Sequence, residues 1–194
     1  MDTRDTIMTA LKAIKTRFWD HRPFVLSHLL TARCNADCAT CLWKMPADSK
    51  TDELTTEEVA ALYRAAADVG FRSLVLWGGE PFVRDDASEL IRVAREAGLE
   101  TTVITNGWWL VDRGPDFLPW TDRVLISVDA VGPLHDEIRR CRGLFARIDA
   151  GLEMLRRDFP KVKILMMNVV SRLNADRMRE VASYAQRFGV QVLF

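Results

Sequence analysis

Three cysteines inside eight residues constrain this chain more than any other feature. They lie in Cys34-Asn35-Ala36-Asp37-Cys38-Ala39-Thr40-Cys41, a C-x3-C-x2-C spacing. That is too tight for a structural disulfide framework, and four cysteines in 194 residues are too few for one. In a reducing compartment, clustered cysteines more often bind metal or do redox chemistry. Spacing this close lets three thiolates converge on one small inorganic centre. An ordinary iron–sulfur carrier supplies four cysteines. Three leave one iron without a protein ligand, and an open position is what a catalytic metal site keeps. Two other readings of the same residues stand beside this one. One is a zinc site completed by a histidine such as His28; the other is three reduced, buried thiols. Cys141 stands alone and reads as a single structural thiol.

Composition narrows the function classes. Lys and Arg number 27 and Asp and Glu also 27, so the formal charge is zero. That balance argues against a nucleic-acid binder working by bulk electrostatics. The densest basic cluster, Arg139, Arg140 and Arg142, is short and reads as a solvated face. No apolar run approaches the roughly 18 residues that span a bilayer. The N-terminal Met1-Asp2-Thr3-Arg4-Asp5 is polar and acidic, unlike a signal peptide. These observations predict a cytoplasmic protein.

The periodicity alternates between strand and helix. Residues 2–18 predict an amphipathic N-terminal helix, with Ile7, Leu11, Ile14 and Phe18 on one side. Phe24 to Leu30 reads as a first strand leading into the cysteine loop. Thr55-Thr56-Glu57-Glu58 is a capping-box pattern, opening a helix to about Val69 that Gly70 closes. Strands follow at Ser73–Trp77, Glu100–Ile104, Arg123–Val128, Val162–Val170 and Val190–Phe194. Helices are expected over 85–97, 144–158 and from an N-cap at Asn174 to about Phe188. Six strands with helical crossovers predict an α/β fold with a parallel sheet. Six are too few for a closed eight-stranded barrel, so an open partial (β/α)6 barrel is expected. One core domain over 23–194 follows a helical extension at 1–22. Ending on a sixth strand raises the possibility of a longer parent protein.

Polar and glycine-rich segments fall at the predicted strand ends, where parallel α/β folds place ligands. Trp77-Gly78-Gly79-Glu80-Pro81 follows the second strand. Paired glycines there allow close backbone approach to a ligand and φ values closed to other residues; the plainer reading is a strand–turn–helix junction. Thr105-Asn106-Gly107 ends the third strand and could be an ordinary turn. Ser127-Val128-Asp129 ends the fourth, with Ser127 and Asp129 on one side by period two. Asn168 ends the fifth, where it could bind a ligand or satisfy buried backbone. Met154, Met166 and Met167 read as core filling.

Taken in order over residues 24–194, these segments resemble the radical S-adenosylmethionine (radical SAM) superfamily. The resemblance implies a [4Fe-4S] cluster on Cys34, Cys38 and Cys41, with S-adenosyl-L-methionine (SAM) on the open iron. It implies that Gly78, Gly79 and Glu80 receive the methionine amino group. Asn106 and Asn168 would approach the cofactor, and Ser127 with Asp129 its carboxylate or ribose. His135-Asp136-Glu137-Ile138-Arg139 resembles an H-D-x-x-R stretch of the same enzymes. The implied activity is reductive cleavage of SAM to methionine and a 5′-deoxyadenosyl radical. That radical takes hydrogen from a small-molecule or peptide substrate, in peptide modification or cofactor biosynthesis. A reducing partner such as flavodoxin or ferredoxin is implied as well. Two departures stand out. Thr40 occupies the position before the third cysteine where the family usually has an aromatic residue, and Trp43 is a candidate substitute. Arg140-Cys141-Arg142 precedes Gly143, where relatives often pass from arginine directly to glycine. The rival reading is a non-enzymatic module for zinc or electron transfer.

Overall fold

The computed structural model describes residues 11, 14, 24–42, 45–49 and 52–194. The predicted N-terminal helix lies outside these, apart from Leu11 and Ile14, which are helical and exposed. Trp43 also lies outside them.

Six strands form one sheet: β1 (Val25–Leu29), β4 (Ser73–Trp77), β5 (Glu100–Thr105), β6 (Arg123–Ser127), β7 (Lys163–Met167) and β8 (Gln191–Leu193). Two short strands, β2 (Arg33–Cys34) and β3 (Met45–Pro46), pair beside it and frame the cysteine loop. The order across the large sheet is β1-β4-β5-β6-β7-β8, and every neighbouring pair is parallel. Sequence order and spatial order therefore coincide, with no reversal. A doubly wound sheet reverses at a switch point. Right-handed crossovers that never reverse put all their helices on one face. The result is the expected open partial barrel.

Those helices are α1 (Thr56–Val69), α2 (Ala87–Glu96), α3 (Leu110–Phe117), α4 (Pro133–Arg139), α5 (Leu144–Asp158) and α6 (Met178–Arg187). The capping box of α1 forms as expected. Glu58 N–H donates to Thr55 Oγ1 at 3.2 Å, and Thr55 N–H donates to Glu58 Oε2 at 2.8 Å. Gly70 closes the helix at φ 110°, which a side chain would resist. The expected helix over 85–97 runs from Ala87 to Glu96, and a separate 3-10 turn at Pro81–Val83 precedes it. Strand β7 is shorter than the predicted 162–170, since the chain turns after Met167 to bring Asn168 beside β6.

Strand alternation sorts the two faces of the sheet. Leu74, Leu76, Val103, Val124, Ile126 and Met166 are buried against Tyr63, Leu90, Phe117, Leu144, Ile148 and Leu155 from the helices. Each such side chain contributes about 1.5–3 kcal/mol by leaving water. The intervening Val75, Ile104, Leu125 and Leu165 are only half-buried, on the concave face. All carboxyl ends of the strands gather at one rim.

Candidate metal and cofactor site

The cysteine loop is held to that rim by its backbone. Leu30 N–H donates to Trp77 O at 2.8 Å, Gly79 N–H to Thr31 O at 2.8 Å and Glu80 N–H to Arg33 O at 2.9 Å. The β1–β4 pairing thus continues past the strands until Cys34. Such contact needs glycine. A Cβ on Gly78 would stand 2.3 Å from Thr31 O, and one on Gly79 would stand 2.2 Å from Arg33 O. Neither glycine has a positive φ, contrary to expectation; what they provide is space, not unusual backbone angles.

Glu80 is completely buried. Its Oε1 accepts from Thr105 Oγ1 at 2.8 Å and Phe82 N–H at 3.4 Å, while Oε2 accepts from Asn106 N–H at 2.7 Å. Burial pushes its carboxyl up to about 7 against these donors. Glu80 therefore ties the end of β4 to the end of β5. Asn106 carries the connection onward: Nδ2 donates to Asn35 Oδ1 at 2.7 Å and lies 3.9 Å from Cys34 Sγ, and Oδ1 accepts from Trp108 N–H at 2.9 Å. It serves the turn and the cysteine loop together.

Cys38 is buried, and Cys34 and Cys41 are half-buried. Cys34 feels the charge of Cys38 and Cys41, and Cys38 feels that of Cys41. Burial pushes Cys34 up to about 11, despite a 3.4 Å bond from Ala36 N–H to its sulfur. Burial also raises Cys38, opposed by the Arg139 guanidinium, which donates to its sulfur. Ligation must displace the protons these thiols hold. Among the described residues, no three His, Cys, Asp or Glu side chains gather closely enough for a single metal ion. The thiolates of a cubane bind different irons and stand wider apart than the ligands of one ion. His28, the residue a zinc site would recruit, instead bonds Tyr63 through Nδ1 at 2.8 Å. The donor set of three mutually interacting thiols, with one cation on Cys38, fits a cluster. Leu42 beside Cys41 is 93% exposed, so this side of the loop is open.

The far side of the rim is a buried polar network. Asp129 is completely buried, with Oδ2 2.7 Å from Arg139 Nε and Oδ1 accepting from Val169 N–H at 3.0 Å. Ser127, at the last position of β6, is half-buried. The alternation runs on past the strand end: Val128 N–H donates to Met167 O at 2.8 Å, and Val128 is buried in the core with Val124 and Ile126. Asn168 donates through Nδ2 to Val128 O at 2.8 Å and Asp129 O at 3.1 Å, the backbone-satisfying role.

Three residues of this network carried no assigned role in the site from sequence. Arg139 is no part of a solvated face, as its side chain is 12% exposed beside Asp129. His135, one turn earlier on α4, accepts Asp129 N–H at Nδ1 (3.1 Å), while its buried Nε2 has no partner. Burial, and then Arg139, pull His135 down to about 4, so the ring stays neutral. Both lie in the H-D-x-x-R stretch, which was the available signal. Asn174 stands at the N-cap position of the turn Ala175–Arg177, but its side chain makes no capping hydrogen bond. Fully buried, it donates through Nδ2 to Asp129 O at 2.8 Å and Val169 O at 3.0 Å. Cys141 is buried as expected, close enough to feel the charge of Cys38.

Comparison with known proteins bears on this arrangement directly. An AdoMet-dependent heme synthase of Methanosarcina barkeri is 33% identical over 171 residues, covering 86% of this chain and 48% of that protein. A PqqA peptide cyclase of Ruegeria pomeroyi is 33% identical over 175 residues, covering 88% and 46%. The chain thus spans about half the length of the curated relatives it matches. The crystal structure of Streptococcus suis SuiB bound to precursor peptide SuiA has the same fold, with TM-score 0.73 and 17% identity, covering 98% of this chain and 43% of that one. Residues 29–185, from the end of β1 through most of α6, match the Radical SAM superfamily. That span contains all three loop cysteines, the paired glycines and the Asp129 network, and the chain belongs to the Radical SAM superfamily.

Proposed function

We propose that this chain is the catalytic core of a radical SAM enzyme. The observation that carries the reading is the cysteine loop itself: three mutually interacting thiols, fixed at the carboxyl rim by Gly78–Glu80 and Asn106. When bound, the cluster supplies the single electron that breaks a carbon–sulfur bond of SAM. The residues supply placement. Cys34, Cys38 and Cys41 ligate, and Glu80 orients Asn106 against the loop. Gly78, Gly79 and Glu80 are the candidates for the methionine amino group through their backbone. Ser127 and Asp129 are the candidates near the carboxylate or ribose, with Asn106 and Asn168 flanking.

The substrate class is a peptide or a cofactor precursor. Support comes from the relatives, one named for heme synthesis and one for peptide cyclisation. A low-potential one-electron donor, flavodoxin or ferredoxin, is the expected partner, and a reducing cytoplasm the expected setting. Among the described residues, no helix is long and apolar enough to cross a membrane.

The test is anaerobic reconstitution with iron and sulfide, reduction with dithionite, addition of SAM, and chromatography for 5′-deoxyadenosine. Wild-type protein should form it and Cys38→Ala should not. Protein that takes up iron and sulfide yet neither binds nor cleaves SAM refutes the reading.

A further inference from the structure

Helix α4 ends against the cysteine loop, and its last residues grip the loop on both sides of Cys38. The Ile138 carbonyl accepts from Ala39 N–H at 2.8 Å, one residue after Cys38. Arg140 pairs with Asp37 at 2.9 Å, one residue before it. Between these anchors stands Arg139, bonded to Asp129 at 2.7 Å and donating to the Cys38 sulfur. The two arginines differ in surroundings. Arg140 and Asp37 are 53% and 57% exposed, so solvent screens their pairing. Arg139 and Asp129 are 12% and 0% exposed, so their charges act at full range on the sulfur beside them.

Reduction of a cluster adds negative charge, part of which falls on its sulfur ligands. A buried cation donating to one of those sulfurs favours the reduced form. We propose that Arg139 and Asp129 form a potential-setting pair: Arg139 raises the reduction potential of a cluster on Cys38, and Asp129 holds it in place and moderates its charge. The inference rests on the radical SAM reading. Arg139 is a positioning residue, acting through Cys38 and not on substrate.

The pair makes a prediction of opposite signs that a merely structural role does not make. The measurement is a dye-mediated redox titration of the reconstituted protein, followed by electron paramagnetic resonance, without SAM. Each step moves one electron from a reduced dye to the cluster; the dye is oxidised and no proton moves. Arg139→Gln should lower the midpoint, cutting the reduced-to-oxidised ratio at the wild-type midpoint about tenfold, or ~59 mV for one electron. Asp129→Asn leaves the cation unmoderated and should raise it. Arg139→Lys should stay close to wild type, and so should Arg140→Gly, which removes only the screened pair. If Arg139→Gln fails to fold with Asp129 left unpaired, the upward shift in Asp129→Asn decides alone. Shifts of the same sign, or none, at full iron and sulfide content overturn the proposal. Failure of the wild-type protein to take up iron and sulfide overturns the radical SAM reading instead.

Discussion

At the scale of single residues, buried polar groups do the organising, and Glu80 is the clearest case. Its carboxyl sits at about 7 because burial outweighs three hydrogen-bond donors. The ordinary value is 4.5, so the folded protein binds this proton more tightly than the unfolded chain. Stability from Glu80 is fully present below about pH 4.5 and is lost as pH rises towards 7. At about 1.4 kcal/mol per pH unit, the loss is on the order of 3 kcal/mol. Glu80→Gln removes the titration. Its hydrogen bonds change too, but that cost is the same at every pH. Urea unfolding of reduced, metal-free protein at pH 5 and pH 7.5 should show wild type losing stability relative to Glu80→Gln. Parallel pH profiles for the two proteins would refute this account.

At the scale of elements, the junctions decide more than the elements themselves. Gly79 allows the chain after β1 to lie on the chain after β4, and a Cβ there meets backbone, not a yielding side chain. Gly79→Ala should cost about 1–3 kcal/mol or more through overpacking. Because it displaces Arg33 O, next to Cys34, it should also reduce iron uptake. Thermal melting together with iron analysis checks both, and unchanged values in both would show that the loop simply moves aside. Local signals of this kind were legible in the sequence. The capping box and Gly70 bracket α1 because caps act over three or four residues. Helix α3 was not legible, since Gly114 and Pro115 interrupt its pattern, and Gly114 is there because α5 packs close, with Met154 2.7 Å from where its Cβ would be. Asn174 looks like a helix cap by position, but its partners are Asp129 O and Val169 O. The roles of Asp129 and Arg139 were hidden for the same reason: partners 10 and 40 residues away leave no periodic trace.

At the scale of the whole molecule, alternation of strand and helix was enough to read a parallel sheet, and the unreversed strand order makes it a partial barrel. That topology puts the cysteine loop, the β4 and β5 ends and the close of α4 at one rim, though they come from residues 30 to 141. A cluster on the three thiols therefore joins segments far apart in sequence, and binding to the folded state alone must stabilise it. For a domain of this size, 1 kcal/mol corresponds to roughly 2–4 °C in Tm. Anaerobic reconstitution should raise Tm by about 5 °C or more over the metal-free protein. The effect should also be local. Hydrogen exchange should slow at Thr31–Cys41, Gly79–Glu80, Asn106 and Ile138–Cys141, whose amides and carbonyls form the rim. It should not change at Pro119–Asp122 and Phe159–Val162, which sit at the opposite end of the strands. Uniform slowing throughout would mean that the two ends unfold as one unit, and slowing confined to the far end would place the cluster somewhere other than these cysteines.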